Sequence, residues 1–233
     1  MARRAAPLLC ELHAHTTWSD GALSLTAVVD LYGQRGFDVL CVTDHTLRDG
    51  STHVHPANYA AYLGAIEAEA ARARAIYDLL LLPGLELTYE DPDPRLAAHA
   101  VAVGLRELVP LAAGLEPALR RARAAGAALI AAHPTPIEDA DHRATARFAA
   151  EWQELAPLVD RWELFNRSTL YAWVAERGLP AVATGDFHRR EHLAGWKTLL
   201  PCAKEERTVV GYLCSGLPAY LTRLAEPELR LAA

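Results

Sequence analysis

Histidine and carboxylate residues gather near the start of the chain in the segment CELHAHTTWSDG, residues 10–21. His13 and His15 stand one residue apart, and Asp20 follows them closely. Imidazole and carboxylate together suit Zn, Mn or Fe as ligands. Where a strand passes into a loop, two side chains at alternate positions share one face, so both rings can point at one ion. The segment therefore predicts a metal site at the end of a strand.

Residues of the same types recur at the ends of other apolar runs. Asp186 and His188, in the motif GDFH, repeat the spacing of the first pair. The full set of candidate ligands is His13, His15, Asp20, His45, Glu86, His99, His133, Asp186 and His188. These ligands are too many for one ion and indicate two or three, with the Glu86 carboxylate as the natural bridge between ions.

The elements that position these residues follow from the hydrophobic pattern. Seven apolar runs are strand candidates: 8–12, 37–44, 79–87, 99–105, 127–133, 161–166 and 180–186. Four segments between them have helical patterns: 24–36, 59–80, 116–126 and 169–178. The strand, helix, strand order favours a closed or nearly closed β/α barrel over a doubly wound open sheet. The turn DPDPR, residues 91–95, could instead join two strands as a hairpin. Barrel strands end on one face, which would bring the candidate ligands together.

Composition and charge exclude several classes of protein. The chain has 233 residues, 52% of them hydrophobic, which predicts one barrel-sized domain over residues 1–233. The net charge of −6 and the absence of a basic run argue against nucleic-acid binding by bulk electrostatics. Four cysteines without a Cys-x-x-Cys spacing predict reduced thiols and a cytoplasmic protein. No segment has the pattern of a signal peptide or a membrane span.

Six motifs in order resemble those of the PHP family, the polymerase and histidinol phosphatase superfamily of metal-dependent phosphoesterases. They are LHAHTTWSDG, VTDH, GLELT, HAVAVGL, AAHP and GDFH. The resemblance covers residues 11 to about 198 and implies a distorted (β/α)7, TIM-like barrel with the metals at the strand carboxyl ends. It also implies that a hydroxide bridging two metals attacks the phosphorus of a phosphate ester.

The resemblance further implies how the ligands divide among three metals. The first metal takes His13, His15, Glu86 and Asp186; the second takes Asp20, His45 and His133; the third takes Glu86, His99 and His188. The family often has histidine at this position, and the aspartate at position 20 resembles the usual choice of its smaller phosphoesterase branch. Because carboxylate is the harder ligand, this residue favours Mn or Fe over Zn.

Further roles are expected for residues next to the ligands. Asp44 is predicted to orient a ligand imidazole, because metal-bound histidines usually donate their other N–H to a carboxylate or carbonyl. Glu163 and Asn166 resemble the acidic-to-Asn strand end near the family's cluster. Arg167 is predicted either to bind a phosphate or to lie on the surface. The residues expected to act in catalysis are Asp20, His45, Glu86, Asp186 and Arg167.

Other residues are weaker candidates for substrate contact. Lys197 in GWKT and Arg167 are expected to contact the substrate, with a solvated lysine as the alternative. His192 is expected to protonate the leaving group. His53 and His55 lie in a polar loop, RDGSTHVHP, that could close over the site.

The sequence thus predicts a metal-dependent phosphoesterase that hydrolyses a small phosphorylated metabolite or nucleotide. Alternatives are a nuclease or proofreading module acting on a short strand, and a non-catalytic relative that only binds metal. An amidohydrolase is a further alternative, because the same chemistry attacks carbonyl carbon. The sequence does not indicate an oligomeric state.

Overall fold

The structure, a computed structural model, describes residues 6–47, 53–139 and 145–225. Its strands are β1 (Leu8–Glu11), β2 (Val39–Val42), β3 (His45–Leu47), β4 (Leu80–Tyr89), β5 (Ala98–Val103), β6 (Ala128–Ala132), β7 (Arg161–Asn166), β8 (Thr169–Leu170), β9 (Ala181–Thr184), β10 (Gly195–Leu200) and β11 (Tyr220–Leu224). Its helices are α1 (Leu25–Gln34), α2 (Tyr59–Tyr77), α3 (Leu115–Ala124), α4 (Arg147–Ala150), α5 (Trp152–Leu155), α6 (Ala172–Glu176) and α7 (Glu206–Cys214).

The strands form one mixed sheet in the order β11-β10-β1-β2-β4-β5-β6-β7-β8, with β3 paired to β4 and β9 paired to β7. Parallel pairs join β1, β2 and β4, and further parallel pairs join β6, β7 and β9. An isolated parallel bridge joins Ala14, after β1, to Phe187, after β9. The sheet therefore curls as a partial barrel, which agrees with the predicted TIM-like class.

The described elements do not follow a regular series of seven strand–helix units. Strand β5 is antiparallel to both β4 and β6, and no helix lies in residues 90–97 between β4 and β5. The turn DPDPR joins these strands as a hairpin, as its Pro and Asp residues indicate. Strand β10 is also antiparallel to its neighbours β1 and β11.

Local sequence explains where the longer helices begin and end. The Ser24 hydroxyl accepts a hydrogen bond from the Ala27 N–H and caps α1. Helix α2 stops at Tyr77, earlier than the predicted 59–80, because Asp78 takes a left-handed conformation. Leu80 then begins β4, so the apolar run after the helix belongs to the sheet.

The hydrophobic core lies on both sides of the sheet. A smaller cluster combines alternate residues of several strands, such as Cys41 and Val101, with Val209 and Leu213 of α7. A larger cluster packs the other side of the sheet against the remaining helices. Since α7 contacts the strands at the end away from the candidate ligands, the other end is left for the site.

The cysteines are all free thiols. Cys10 and Cys41 are buried as predicted, and burial raises the pKa of both thiols. Cys202 is half-buried and Cys214 is exposed.

Within the described ranges, no helix combines the length and apolar character needed to cross a membrane.

Candidate metal centre

All nine candidate ligands converge at one end of the curled sheet. His13 and His15 follow β1, His133 follows β6, and Asp186 and His188 follow β9. These positions are the carboxyl ends of parallel strands, where the barrel argument places an active site.

Three of the ligands, His45, Glu86 and His99, come from within strands. His45 opens β3 and is paired in register with Glu86 in β4. His99 lies near the amino end of β5, paired with Thr88. Because β5 runs antiparallel to β4, its amino end lies at the same edge as the carboxyl end of β4. The hairpin therefore brings His99 into the cluster.

The donor atoms fall into three groups, within each of which all ligand atoms lie within 4.8 Å of one another. Group A is His13, His15 and Asp186; group B is Glu86, His99 and His133; group C is His15, Asp20, His45 and His188. One Glu86 oxygen, Oε1, lies 3.2 Å from His133 Nε2. The other, Oε2, lies 3.3 Å from both His13 Nε2 and His15 Nε2. Glu86 thus lies between groups A and B, in the bridging position predicted for it.

The structure exchanges two of the assignments that the family resemblance implies. His188, expected beside Glu86 and His99, has its Nε2 3.3 Å from Asp20 Oδ1 and joins group C. His133, expected beside Asp20, joins group B instead. Chain order alone does not indicate which strand ends are neighbours, and the curl of the sheet decides the grouping.

One imidazole in group A and one in group B are oriented by carboxylates outside the groups. His13 Nδ1–H donates to Glu163 Oε1 at 2.9 Å, which leaves Nε2 facing Glu86. His99 Nε2–H donates to Glu90 Oε1 at 3.1 Å, which leaves Nδ1 3.2 Å from Glu86 Oε1. Such acceptors set the tautomer of metal-binding histidines and direct the free nitrogen at the ion.

Threonine hydroxyls orient two more of the rings. The Thr145 hydroxyl donates to the His133 carbonyl and accepts from His133 Nδ1 at 2.9 Å. The Thr88 hydroxyl donates to the Glu86 carbonyl and accepts from His45 Nδ1 at 2.7 Å. In both cases Nε2 is left to face the carboxylates of the cluster.

The last two rings follow the same rule. His188 Nδ1–H donates to the Asp186 carbonyl at 3.0 Å, and its Nε2 faces Asp20. His15 Nδ1 lies 3.5 Å from Ser19 Oγ, and its Nε2 lies 3.5 Å from Asp186 Oδ1. Six imidazoles therefore direct at least one nitrogen each into the cluster, as a metal centre requires. His45 is an exception to the single orientation, because its Nδ1 also lies 2.9 Å from Glu86 Oε2.

Buried atoms without hydrogen bonds give a direct test of this fit. His13 Nε2, His15 Nε2, His99 Nδ1 and Glu86 Oε2 are buried and lack a hydrogen-bond partner among the described residues. An unpaired buried polar atom destabilises a fold by about 1–3 kcal/mol, so four together need a compensating partner. Divalent cations held by groups A and B would satisfy these four atoms. The donors present therefore fit a metal centre.

The pKa shifts of Glu86 and His15 agree with this interpretation, whereas nearby carboxylates, against the effect of burial, raise the pKa of His13 and His99. Burial opposes the ionisation of Glu86, but the imidazoles of His45 and His13 outweigh it and hold the Glu86 pKa well below its usual range. Burial lowers the pKa of His15 to about 3, against its hydrogen bond to Asp186. His15 is therefore neutral near pH 7, and its free nitrogen can bind a metal without first losing a proton.

The backbone is strained at several site residues. Outside glycine, five described residues have positive φ angles: His53, Asp78, His133, Arg167 and Asp186. His133 and Asp186 are candidate ligands, and the Arg167 side chain contacts Asp186. Residues other than glycine rarely adopt this conformation, and those that do are concentrated at functional sites.

Gly21 closes the segment that carries the first ligands. A Cβ at this position would lie 2.5 Å from the carbonyl carbon of His15, and the Gly21 N–H donates to the Thr16 carbonyl at 3.0 Å. Only glycine allows the loop to fold back this closely, and the fold-back brings Asp20 within 3.9 Å of His15 Nδ1.

Asp44 has a different role from the predicted one. Its carboxylate accepts hydrogen bonds from the Thr16 N–H, the Thr16 hydroxyl and the Ser19 hydroxyl at 2.8, 2.8 and 2.6 Å. It contacts no ligand imidazole through a hydrogen bond in the described residues and instead fixes the loop that carries Asp20. Glu163, which binds His13, has the role that was predicted for Asp44.

Arg167 lies between the candidate ligands and solvent. Its Nη2 donates to Asp186 Oδ2 at 2.8 Å, and its side chain is 38% exposed. His192 lies beside it and accepts the His188 N–H at Nδ1. Burial, with the nearby Arg167 charge, lowers the pKa of His192 to about 4. A neutral imidazole is a poor proton donor, so this pKa argues against the expected role in protonating the leaving group.

Lys197 lies in the interior, contrary to the expectation of a substrate contact. Its side chain is completely buried, and Nζ donates to Glu11 Oε2 at 2.7 Å. A lysine enclosed in this way cannot contact a substrate bound at the strand carboxyl ends.

One of the two loop histidines lies near the site. The His53 ring is 5.8 Å from the His45 ring. Residues 48–52 of the same loop lie outside the described residues.

Glu11 is a site-forming residue that the sequence reasoning missed. Its Oε1 accepts from the N–H groups of His13 and Gly185, and its Oε2 accepts from Tyr32 and Lys197. Glu11 thereby ties the segment carrying His13 to the segment carrying Asp186. The available signal was a lone carboxylate inside an apolar strand, LLCEL, together with a lone lysine in GWKTLL.

We expect Glu163→Gln to reduce metal affinity or activity by about 10- to 100-fold. All four polar neighbours of Glu163 donate to it: His13 Nδ1, Thr184 Oγ1, the His133 N–H and Asn166 Nδ2. An amide presents its own N–H groups to two of these donors. Metal titration and steady-state kinetics would measure the effect against Glu176→Gln, an exposed control. Equal behaviour of the two variants would contradict the role of Glu163.

The fold and site define a mixed α/β protein with a candidate metal centre at the strand carboxyl ends. No protein-family model matches the sequence. The 3',5'-nucleoside bisphosphate phosphatase of Chromobacterium violaceum is 30% identical over 193 residues, which cover 80% of this chain and 61% of that protein. The DNA polymerase/3'-5' exonuclease PolX of Bacillus subtilis is 30% identical over 87 residues, 35% of this chain and 15% of that protein. The chain thus spans less than two thirds of the length of these relatives.

A solved structure supports the fold. A two-domain protein from Bacteroides vulgatus containing a predicted PHP-like metal-dependent phosphoesterase matches with a TM-score of 0.66 and 20% identity. The match covers 95% of this chain and 69% of that one. The fold is thus similar to that of a protein described as PHP-like, in agreement with the resemblance that the six motifs indicate.

Proposed function

We propose that the protein is a metal-dependent phosphoesterase that hydrolyses a small phosphorylated molecule. The observation that carries the proposal is the convergence of six imidazoles and three carboxylates, each ring directing at least one nitrogen inward. A related protein is named as a nucleoside bisphosphate phosphatase, which supports the same class of substrate.

Two or three divalent ions would be held by groups A, B and C, with Glu86 shared between A and B. When bound, such ions supply Lewis-acid stabilisation of a phosphoryl group and activation of water. Mn or Fe is favoured over Zn because Asp20 adds a hard oxygen ligand to group C. In the same group, His45 Nε2 lies 3.5 Å from Asp20 Oδ1 and would be a nitrogen ligand beside that carboxylate.

The substrate would enter from the side of group C. Side-chain exposure rises from 0% for His13 and His15 to 49% for Asp20 and 22% for His188. Arg167, beside group C, would hold Asp186 in place through Nη2 and present its remaining N–H groups to an anionic substrate. The enclosed side of the cluster would exclude bulk water from groups A and B.

The decisive test combines elemental analysis with hydrolysis of aryl phosphate mono- and diesters after loading with Mn, Zn or Fe. Two or three metals per chain with metal-stimulated phosphate release would support the proposal. Cleavage of a short oligonucleotide in preference to a mononucleotide would favour the nuclease alternative. Full metal occupancy with hydrolysis of amides instead of phosphate esters would favour the amidohydrolase alternative, and occupancy without any turnover would indicate a non-catalytic relative.

Metal removal is expected to destabilise the protein. A ligand that binds only the folded state at 100 times its Kd stabilises it by about 2.7 kcal/mol. We therefore expect the Tm to fall by several degrees on chelation and to recover when Mn is added back. Differential scanning calorimetry of chelated and reloaded protein would measure this shift. A Tm that is the same in both forms would contradict metal binding by the buried donors.

A further inference from the structure

A cavity of about 540 Å³ opens beside the candidate metal centre. Its walls include Arg167, Ser168, His192, Gly195 and Arg223. Small-molecule sites typically have volumes of about 300–1,000 Å³, so this cavity is large enough for the body of a small substrate.

The cavity adjoins the candidate ligands through two of the residues that line it. Arg167 Nη2 is 2.8 Å from Asp186 Oδ2 and 3.4 Å from His188 Nδ1. His192 Nδ1 accepts the His188 N–H at 3.1 Å. The cavity is therefore the adjoining space for the remaining atoms of a molecule that has one group at the metal centre.

The backbone of Trp196 in β10 pairs with the backbone at both arginines of the cavity. The Arg167 carbonyl accepts the Trp196 N–H at 3.0 Å, and Arg223 is paired in register with Trp196 across β10 and β11. Gly195 has a φ of 119°, and a Cβ there would lie 2.7 Å from the Arg167 carbonyl oxygen. Glycine at position 195 therefore allows this close approach.

The charge of the cavity differs from that of the whole chain. The chain has a net charge of −6, yet the cavity is lined by two arginines against one carboxylate, Glu191. The Glu191 side chain is 72% exposed and lies 3.8 Å from Arg189. Arg223 has no hydrogen bond or ion pair with any residue in the described ranges. Its guanidinium is free to bind an anion, for which its planar set of donors is well suited.

We infer that this cavity is a subsite for a second, non-reacting phosphate, with Arg223 and Ser168 as its contacts and Arg167 between it and the metal centre. The inference rests on the proposed function and specifies its substrate class as a bisphosphorylated small molecule. One phosphate lies at the metal centre, and the other is held in the cavity.

The test compares two bisphosphates with an ester that lacks a second phosphate. Adenosine 3',5'-bisphosphate, fructose 1,6-bisphosphate and p-nitrophenyl phosphate are assayed with the metal-loaded wild type, Arg223→Ala, Arg223→Lys and the control Arg120→Ala. Arg120 is exposed on α3, away from the cavity. We expect Arg223→Ala to lower the ratio of kcat/KM for a bisphosphate to that for the aryl ester by about 10- to 100-fold, mainly through KM.

Arg223→Lys should retain most of this ratio, because it keeps the charge. If Arg223→Ala lowers this ratio with only one of the two bisphosphates, the subsite also selects the part of the substrate that carries the phosphates. If it lowers the ratio with both, the subsite recognises the phosphate alone. A ratio in Arg223→Ala equal to that in Arg120→Ala would overturn the subsite.

The failure of the proposed function is distinguishable from the failure of the subsite. If the wild type hydrolyses no ester, including p-nitrophenyl phosphate, the proposed function fails. Calorimetric titration of the metal-loaded proteins with adenosine 3',5'-bisphosphate then tests the subsite alone. Binding that is about tenfold or more weaker in Arg223→Ala than in Arg120→Ala supports the subsite, and equal binding overturns it.

Discussion

Asp186→Ala is expected to reduce turnover of a phosphate ester by about 1,000-fold or more, because metal ions supply several kcal/mol of transition-state stabilisation. Asp186 Oδ1 lies 3.6 Å from His13 Nε2 and 3.5 Å from His15 Nε2, so its loss removes a carboxylate from group A and leaves the shared Glu86 as the carboxylate beside both Nε2 atoms. His15→Ala should have an effect of similar size, since His15 belongs to both group A and group C.

Steady-state kinetics and metal analysis of the purified variants would measure these losses. Glu176→Ala removes an exposed carboxylate of α6 and serves as the matched control. The far-UV circular dichroism of both variants should match that of the wild type, because the replaced side chains lie in loops that follow β1 and β9. Activity above a tenth of the wild-type value in either variant would contradict the role assigned to group A.

Lys197→Met is expected to lower the free energy of unfolding by about 3–5 kcal/mol, because it leaves a buried carboxylate without its counter-charge. Glu11 and Lys197 are both completely buried, and Nζ lies 2.7 Å from Oε2. The double variant Glu11→Gln/Lys197→Met should recover much of the loss, since it leaves no unpaired buried charge.

A second lysine gives the matched control for this measurement. Lys204 pairs with Asp38 and Asp78 at 2.9 and 2.8 Å, but the Asp78 side chain is 68% exposed. Surface ion pairs contribute about 0.2–1 kcal/mol, so Lys204→Met should destabilise the protein far less. Urea unfolding of the four proteins provides the comparison. Equal losses for Lys197→Met and Lys204→Met would show that burial does not determine the energy of the Glu11 pair.

The variant Lys197→Met should also reduce activity in the folded protein. Glu11 Oε1 accepts the Gly185 N–H at 2.8 Å and the His13 N–H at 3.2 Å, so it sets the separation of two ligand-bearing segments. Without the lysine, the carboxylate is expected to shift and to disturb both segments.

Much of the site follows from the sequence alone. The candidate ligands are polar residues at the ends of apolar runs, and parallel strands bring such ends to one edge of a sheet. This local pattern predicted that the candidate ligands converge, and the family resemblance implied that His13, His15, Glu86 and Asp186 are neighbours. The described structure brings these four residues together. The capped helix from Ser24 and the hairpin turn DPDPR were predictable for the same reason, since each depends on residues close in sequence.

The tertiary structure decided what depends on distant contacts. The grouping of His133 with Glu86 and of His188 with Asp20 depends on the curl of the sheet. The antiparallel direction of β5 depends on its pairing with both β4 and β6. Lys197 resembles a surface lysine in sequence, and only the packing of β10 against β1 encloses it beside Glu11, 186 positions away. Residue type and spacing therefore determined which side chains are candidate ligands, whereas strand pairing decided which of them lie together in one group.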